Sequence, residues 1–125
     1  MRNSKALQDR RILIVEDEYF IAQEMQSAVE EAGGIVIGPF ADLKEVVSSG
    51  AYAKVDIAVL DINVKGESSF ELADKLQWRG VPLCFATGYD ADMLPDRFAQ
   101  SRLMLKPFDG PELVKELTQV CEYGA

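Results

Sequence analysis

Short, unbroken apolar runs alternate with stretches of helical period along this chain, and the alternation repeats five times. Residues 12–15 (Ile-Leu-Ile-Val) are aliphatic throughout, the pattern of a parallel strand buried on both faces. From residue 19 to 32, Ile21, Met25, Ala28, Val29 and Ala32 recur at spacings of three and four, which predicts an amphipathic helix closed by Gly33-Gly34. Residues 35–37 predict a second strand terminated by Gly38-Pro39, and Asp42 is placed to cap a short helix carrying Leu43, Val46 and Val47. Residues 55–60 predict a third strand that delivers Asp61 to its end; the loop 61–67 then leads to a helix with Phe70, Leu72, Ala73 and Leu76 on its apolar side. Residues 82–86 predict a fourth strand with Pro82 at its first position, running into Thr87-Gly88. Residues 89–100 have a weaker period and contain Pro95, so a short or irregular helix is expected there. Residues 102–105 predict a fifth strand, followed by Lys106-Pro107 and a last helix striped by Leu113, Leu117 and Val120.

Five β/α units joined by short connections predict one α/β domain, a doubly wound parallel sheet, over residues 10–121. Residues 1–9 are expected to form a flexible N-terminal tail and 122–125 a short C-terminal one. Trp78 and Phe108 are expected to be packing residues.

Composition narrows the chemistry. With 13 basic against 21 acidic residues, the formal charge of -8 disfavours nucleic acid and anionic membrane as partners. No run approaches the roughly 20 apolar residues of a spanning helix, and the polar start lacks the apolar core of a signal peptide, so a cytoplasmic location is expected. The chain has no histidine, which excludes Ser-His and Cys-His catalysis and any histidine-bearing metal cluster. Cys84 and Cys121 are too few for a disulfide framework and read as buried thiols.

Open α/β sheets bind their ligands at the carboxyl ends of the strands, and that edge gathers Glu16, Asp17, Asp61, Thr87 and Lys106. Three carboxylates in one crevice repel unless a hard cation or a basic side chain offsets them. Oxygen donors with water suit Mg²⁺, and Lys106 can hold a further anion as a point charge. The grouping suits phosphoryl transfer with one carboxylate as nucleophile. Plainer readings stand beside this one. Glu16 and Asp17 could cap the first helix, Asp61 could close a loop, Thr87 could be a turn hydroxyl, Lys106 a solvated charge, and Asn63 the centre of a local Asx turn.

The acidic pair Glu16-Asp17 after the first strand, Asp61 after the third, Thr87 after the fourth and Lys106-Pro107 after the fifth, in this order and spacing, strongly resemble the receiver domain of bacterial two-component response regulators. The resemblance covers about residues 10–121. It implies a flavodoxin-like receiver fold with strand order 2-1-3-4-5 and a cis Lys106-Pro107 bond. It implies that Asp61 is the phosphoacceptor, attacking a phosphohistidine of a sensor histidine kinase or histidine phosphotransfer protein. Mg²⁺ would be held by Asp17 and Asp61, by Glu16 through water and by the backbone carbonyl of Asn63. Thr87 and Lys106 would complete the catalytic set.

A downstream protein target and a phosphorylation-dependent homodimer are further implications, as are Mg²⁺-dependent self-phosphorylation and aspartyl-phosphate hydrolysis. Within the family the chain looks like a short, stand-alone alphaproteobacterial class, with no room for a DNA-binding segment after the last helix. It departs from the common pattern at Leu103, where an aromatic residue is frequent, and in a shortened stretch between Thr87 and Lys106.

The competing enzyme reading is a haloacid-dehalogenase-like phosphatase or phosphotransferase, suggested by Asp61-Ile62-Asn63-Val64. Against it, Asn63 replaces that loop's second carboxylate, and no lid-sized insertion is present. A pseudo-receiver role is disfavoured by Asp17, Asp61 and Lys106. Flavin binding is disfavoured because a dense acidic edge attracts a cation more than a cofactor phosphate.

Overall fold

A computed structural model describes residues 6–88 and 94–123. In chain order the elements are β1 (Arg11–Val15), α1 (Tyr19–Glu31), β2 (Ile35–Phe40), α2 (Leu43–Ser49), β3 (Ile57–Asp61), β4 (Asn63–Val64), β5 (Glu67–Ser68), α3 (Phe70–Trp78), β6 (Leu83–Thr87), β7 (Arg102–Leu105) and α4 (Gly110–Tyr123). One-turn 3₁₀ segments at Ala51–Lys54 and Asp96–Phe98 complete the connections. The main sheet is parallel in the order β2-β1-β3-β6-β7, which is the 2-1-3-4-5 order once the small β4-β5 pair is set aside.

Side chains alternate across a strand, and here both faces are buried. Ile12 and Ile14, Ile57 and Val59, and Cys84 and Ala86 point to one face and pack with Met25 and Val29 of α1 and with Leu113, Leu117 and Val120 of α4. Leu13 and Val15, Ala58 and Leu60, and Leu83 and Phe85 point to the other, against Val46 of α2, Leu72, Ala73 and Leu76 of α3, and Phe98. Two cores on one sheet make the fold doubly wound. They also explain why the runs at 12–15 and 57–60 tolerate no polar residue. Leu7 is fully buried in the first core and its N–H donates to Ala32 O at 2.9 Å, so packing begins before the boundary expected at residue 10.

Local sequence sets the ends. Asp42 accepts from Lys44 N–H at 2.9 Å and caps α2 as expected. Before α4, Asp109 and Glu112 exchange hydrogen bonds of 2.9 and 3.2 Å, each side chain accepting from the other's backbone N–H. The first helix is capped by Glu18, whose carboxylate accepts from Ile21 N–H at 3.3 Å; neither Glu16 nor Asp17 takes that role.

Three expectations need correction. β2 does not stop at Gly38-Pro39 but runs to Phe40, through a register shift in which Leu13 pairs with Ile37 and Val15 with Phe40. Gly38 permits it, with φ +106° and room so small that a Cβ would lie 2.8 Å from Phe40 N. The loop after Asp61 contains a β-hairpin. Trp78 does not pack: it is 91% exposed, because it lies at the last turn of α3 beyond the stripe of Leu72, Ala73 and Leu76. Phe108, by contrast, packs against the first core as expected. Of the segment 89–100, residues 89–93 lie outside the described residues, and the rest forms only the 3₁₀ turn at Asp96–Phe98.

Candidate functional site

The carboxyl ends of β1 and β3 are adjacent in the sheet, so the residues that leave them meet. Glu16 follows β1 and remains in the ladder, its N–H donating to Phe40 O at 2.9 Å, which is what the extended β2 provides. Its side chain is buried, with Oε2 accepting from Glu18 N–H at 3.0 Å. Asp61 ends β3 and is 8% exposed; its Oδ1 accepts from Asn63 N–H at 3.4 Å. The Asx-type turn at this loop therefore belongs to Asp61 and not to Asn63. Asp17 is exposed, and its Oδ2 accepts from Lys65 N–H at 2.7 Å. One carboxylate oxygen from each of Glu16, Asp17 and Asp61 lies within 4.8 Å of the others.

Lys106 enters from the far side. Its backbone N–H donates to Thr87 O at 2.8 Å, which fixes where the chain leaves β7, and the following Lys106-Pro107 bond is cis. Nζ stands 2.7 Å from Glu16 Oε1 and 3.2 Å from Asp61 Oδ2, bridging two carboxylates that would otherwise repel. Thr87 is buried at the end of β6, beside Asp61 in the strand order.

Burial is the largest single influence on the titration of both ends of this bridge. It pushes Glu16 above its ordinary 4.5, and hydrogen bonds from Lys106 and from Glu18 N–H offset that only in part. Burial alone would lower Lys106, but Glu16 and Asp61 together outweigh it and hold the ammonium above its ordinary 10.5. The lysine stays charged at neutral pH.

All five strand-end residues expected from the sequence are thus brought to one edge. Sequence reasoning missed the β4-β5 hairpin and its grip on Asp17, although Lys65-Gly66 is a turn-forming dipeptide that carried the signal. A groove of about 740 Å³ lies between α1 and α4, away from this edge.

A parallel five-stranded sheet with an acidic triad and a lysine at its carboxyl edge defines a small acid-lysine site on a flavodoxin-like fold. The chain belongs to the response regulator receiver domain family, which it matches over residues 12–118. It is similar to the sensory transduction protein LytT of Enterococcus faecalis (33% identity over 115 residues, 89% of this chain and 46% of that protein). It is also similar to the uncharacterized transcriptional regulatory protein YbdJ of Bacillus subtilis (28% over 120 residues, 90% and 51%). The chain spans about half the length of the curated relatives it matches. Among solved structures, SdrG from Sphingomonas melonis Fr1 superposes with TM-score 0.76 at 31% identity, covering 94% of this chain and 99% of that one. The receiver protein from Sinorhizobium medicae shares the fold, with TM-score 0.73 at 23% identity over 92% and 96% of the two chains. The haloacid-dehalogenase alternative finds no support in these matches. No described helix is long and apolar enough to cross a membrane.

Proposed function

We propose that this receiver domain accepts a phosphoryl group on Asp61 from a phosphohistidine of a sensor histidine kinase or histidine phosphotransfer protein. The observation that carries the reading is the Lys106 bridge, with Nζ within 3.2 Å of both Glu16 and Asp61 beside the exposed Asp17. Three carboxylates face one ammonium, so the donor set fits a divalent cation, and all-oxygen donors partly open to water fit Mg²⁺. Glu16, Asp17 and Asp61 would hold it, with the Asn63 carbonyl. When bound, the ion supplies charge neutralisation for the transferring phosphoryl oxygens.

An oxygen of Asp61 attacks phosphorus, the P–N bond to the donor imidazole breaks, and its electron pair returns to the ring nitrogen. Lys106 shifts from compensating the Asp61 carboxylate to compensating the acyl phosphate, so its charge is in place before transfer. The Thr87 hydroxyl donates to a phosphoryl oxygen. The product adds about -1.5 to -2 charge at this edge, which redistributes hydrogen bonds toward Thr87 and the chain after it. A protein target then reads the altered surface; a location in the cytoplasm, with its kinases, fits this role.

Intact-mass measurement after treatment with acetyl phosphate and Mg²⁺ tests the assignment. One added phosphoryl group is expected, absent in Asp61→Asn; an undiminished stoichiometric adduct in that variant refutes it.

A further inference from the structure

Asp17 is the exposed member of the acidic triad, and an exposed carboxylate is free to rotate away from its neighbours unless something holds it. What holds it comes from 48 residues away. Lys65 N–H donates to Oδ2 at 2.7 Å. Lys65 has φ +51° and Gly66 φ +83°, two successive left-handed residues that join β4 to β5 in a two-residue turn, with Asn63 paired to Ser68 and Val64 to Glu67. The hairpin is anchored at its base. Ser69, fully buried, donates to Ile62 O from its N–H at 2.9 Å and from its hydroxyl at 3.3 Å, and Ile62 and Val64 are buried in the second core. The donor at the tip is therefore fixed relative to β3, and so relative to Asp61.

We infer that the β4-β5 hairpin is a positioning device for the metal site, in which the Lys65-Gly66 turn aims a backbone N–H that orients Asp17 toward Glu16 and Asp61. This rests on the proposed function. The Lys65 side chain is not the working part; Lys65 and Gly66 act through Asp17, by keeping the turn left-handed. Groups one shell removed from a metal typically change its affinity about 10- to 100-fold when lost, and the lower end fits one hydrogen bond to an exposed ligand.

The experiment is a double-mutant cycle on the full chain, read by NMR titration with Mg²⁺ alone. Gly66→Val places a β-branched residue where φ is positive and opens the turn, so Mg²⁺ affinity is expected to fall about 10-fold. In the Asp17→Ala background the same change is expected to cost far less, because the carboxylate it would misplace is gone and only the Asn63 carbonyl of the same hairpin remains to be disturbed. An equal loss in both backgrounds overturns the inference, since a merely structural effect is additive.

If Gly66→Val does not fold, two other measurements decide. Gly66→Ala makes the same cycle under milder strain. The Lys65 amide proton is expected to move upfield and exchange faster in Asp17→Ala than in the wild type, and an unchanged amide refutes the contact. A wild-type chain that binds no Mg²⁺ and takes no phosphoryl group sinks the underlying reading. One that does both while the cycle is additive sinks the hairpin alone.

Discussion

Two of the crossovers that cover the second face of the sheet are held in different ways. Between β3 and β6 the chain forms a hairpin and a regular helix, whose Leu72, Ala73 and Leu76 are buried and whose base is closed by Ser69. Between β6 and β7 the described residues form one 3₁₀ turn, held at its centre by Phe98 and at its surface by side chains of α3. Phe98 is fully buried against Phe70 and Phe85, at centroid distances of 5.6 and 5.2 Å. Arg97 forks onto Asp74 at 2.7 and 3.2 Å, and Gln77 donates to Arg97 O at 3.0 Å. The acidic half of the site thus rests on sheet pairing and core, while the described chain between β6 and β7 is tied down by Phe98, by partly buried Leu94 and by exposed polar contacts. Regions secured mainly by exposed hydrogen bonds open at the lowest free-energy cost. On the proposed function, the chemistry falls to the half secured by sheet and core, and the described residues between β6 and β7 are the less firmly held part.

Replacing Asp61 with Asn should abolish the phosphoryl adduct outright, the largest effect, leaving the urea midpoint near that of the wild type; an adduct by intact mass breaks the assignment of chemistry to the half secured by sheet and core. Lys106→Met should slow adduct formation by acetyl phosphate roughly 100-fold, the scale of losing one preorganised electrostatic group. The same change strands buried Glu16 without its cation, so stability should fall more at pH 8 than at pH 4, where a carboxyl already pushed above its ordinary value is protonated and needs no partner. Equal losses at both pH values would show that the bridge is not what holds Glu16.

Phe98→Ala should cost about 3 to 5 kcal/mol in urea denaturation, because the ring fills the centre of the second core. A loss well below 1 kcal/mol would mean that the β6-β7 crossover lacks even this anchor, sharpening the contrast. Cys84 gives a smaller effect, visible only in alkali. Burial pushes its thiol up to about 12 from 9.0, so the unfolded chain releases this proton first and stability should fall as pH rises from 9.0 toward 12. Cys84→Ala should flatten that slope in urea midpoints between pH 8 and about 10; an unchanged slope refutes the cause. Least of all, Arg97→Ala should leave the unfolding midpoint in place, yet speed hydrogen exchange at residues 96–101 relative to those of α3. Equal exchange in both segments would erase the difference between the crossovers.

Much of this was legible in the chain because it is local or periodic. Short aliphatic runs bounded by turn signals suit central parallel strands buried on both faces, and the stripes of α1, α3 and α4 follow from 3.6-residue spacing. Strand ends in a wound sheet share one edge, so Glu16, Asp17, Asp61, Thr87 and Lys106 were assembled from the order of elements alone. Trp78 was misjudged because exposure depends on where α3 stops relative to the sheet, which composition does not record.

The sequence by itself determined which groups reach the site and what chemistry they can perform. Tertiary structure decided how they are held. Lys106 spans Glu16 and Asp61 because the end of β7, paired to Thr87, places Nζ there, 45 residues from Asp61 in the chain. Asp17 is oriented by an N–H donated 48 residues away, from a turn whose left-handed geometry is invisible until the hairpin closes on its buried base. Contacts of that kind depend on the relative position of whole elements, which only the packed sheet and its two cores fix.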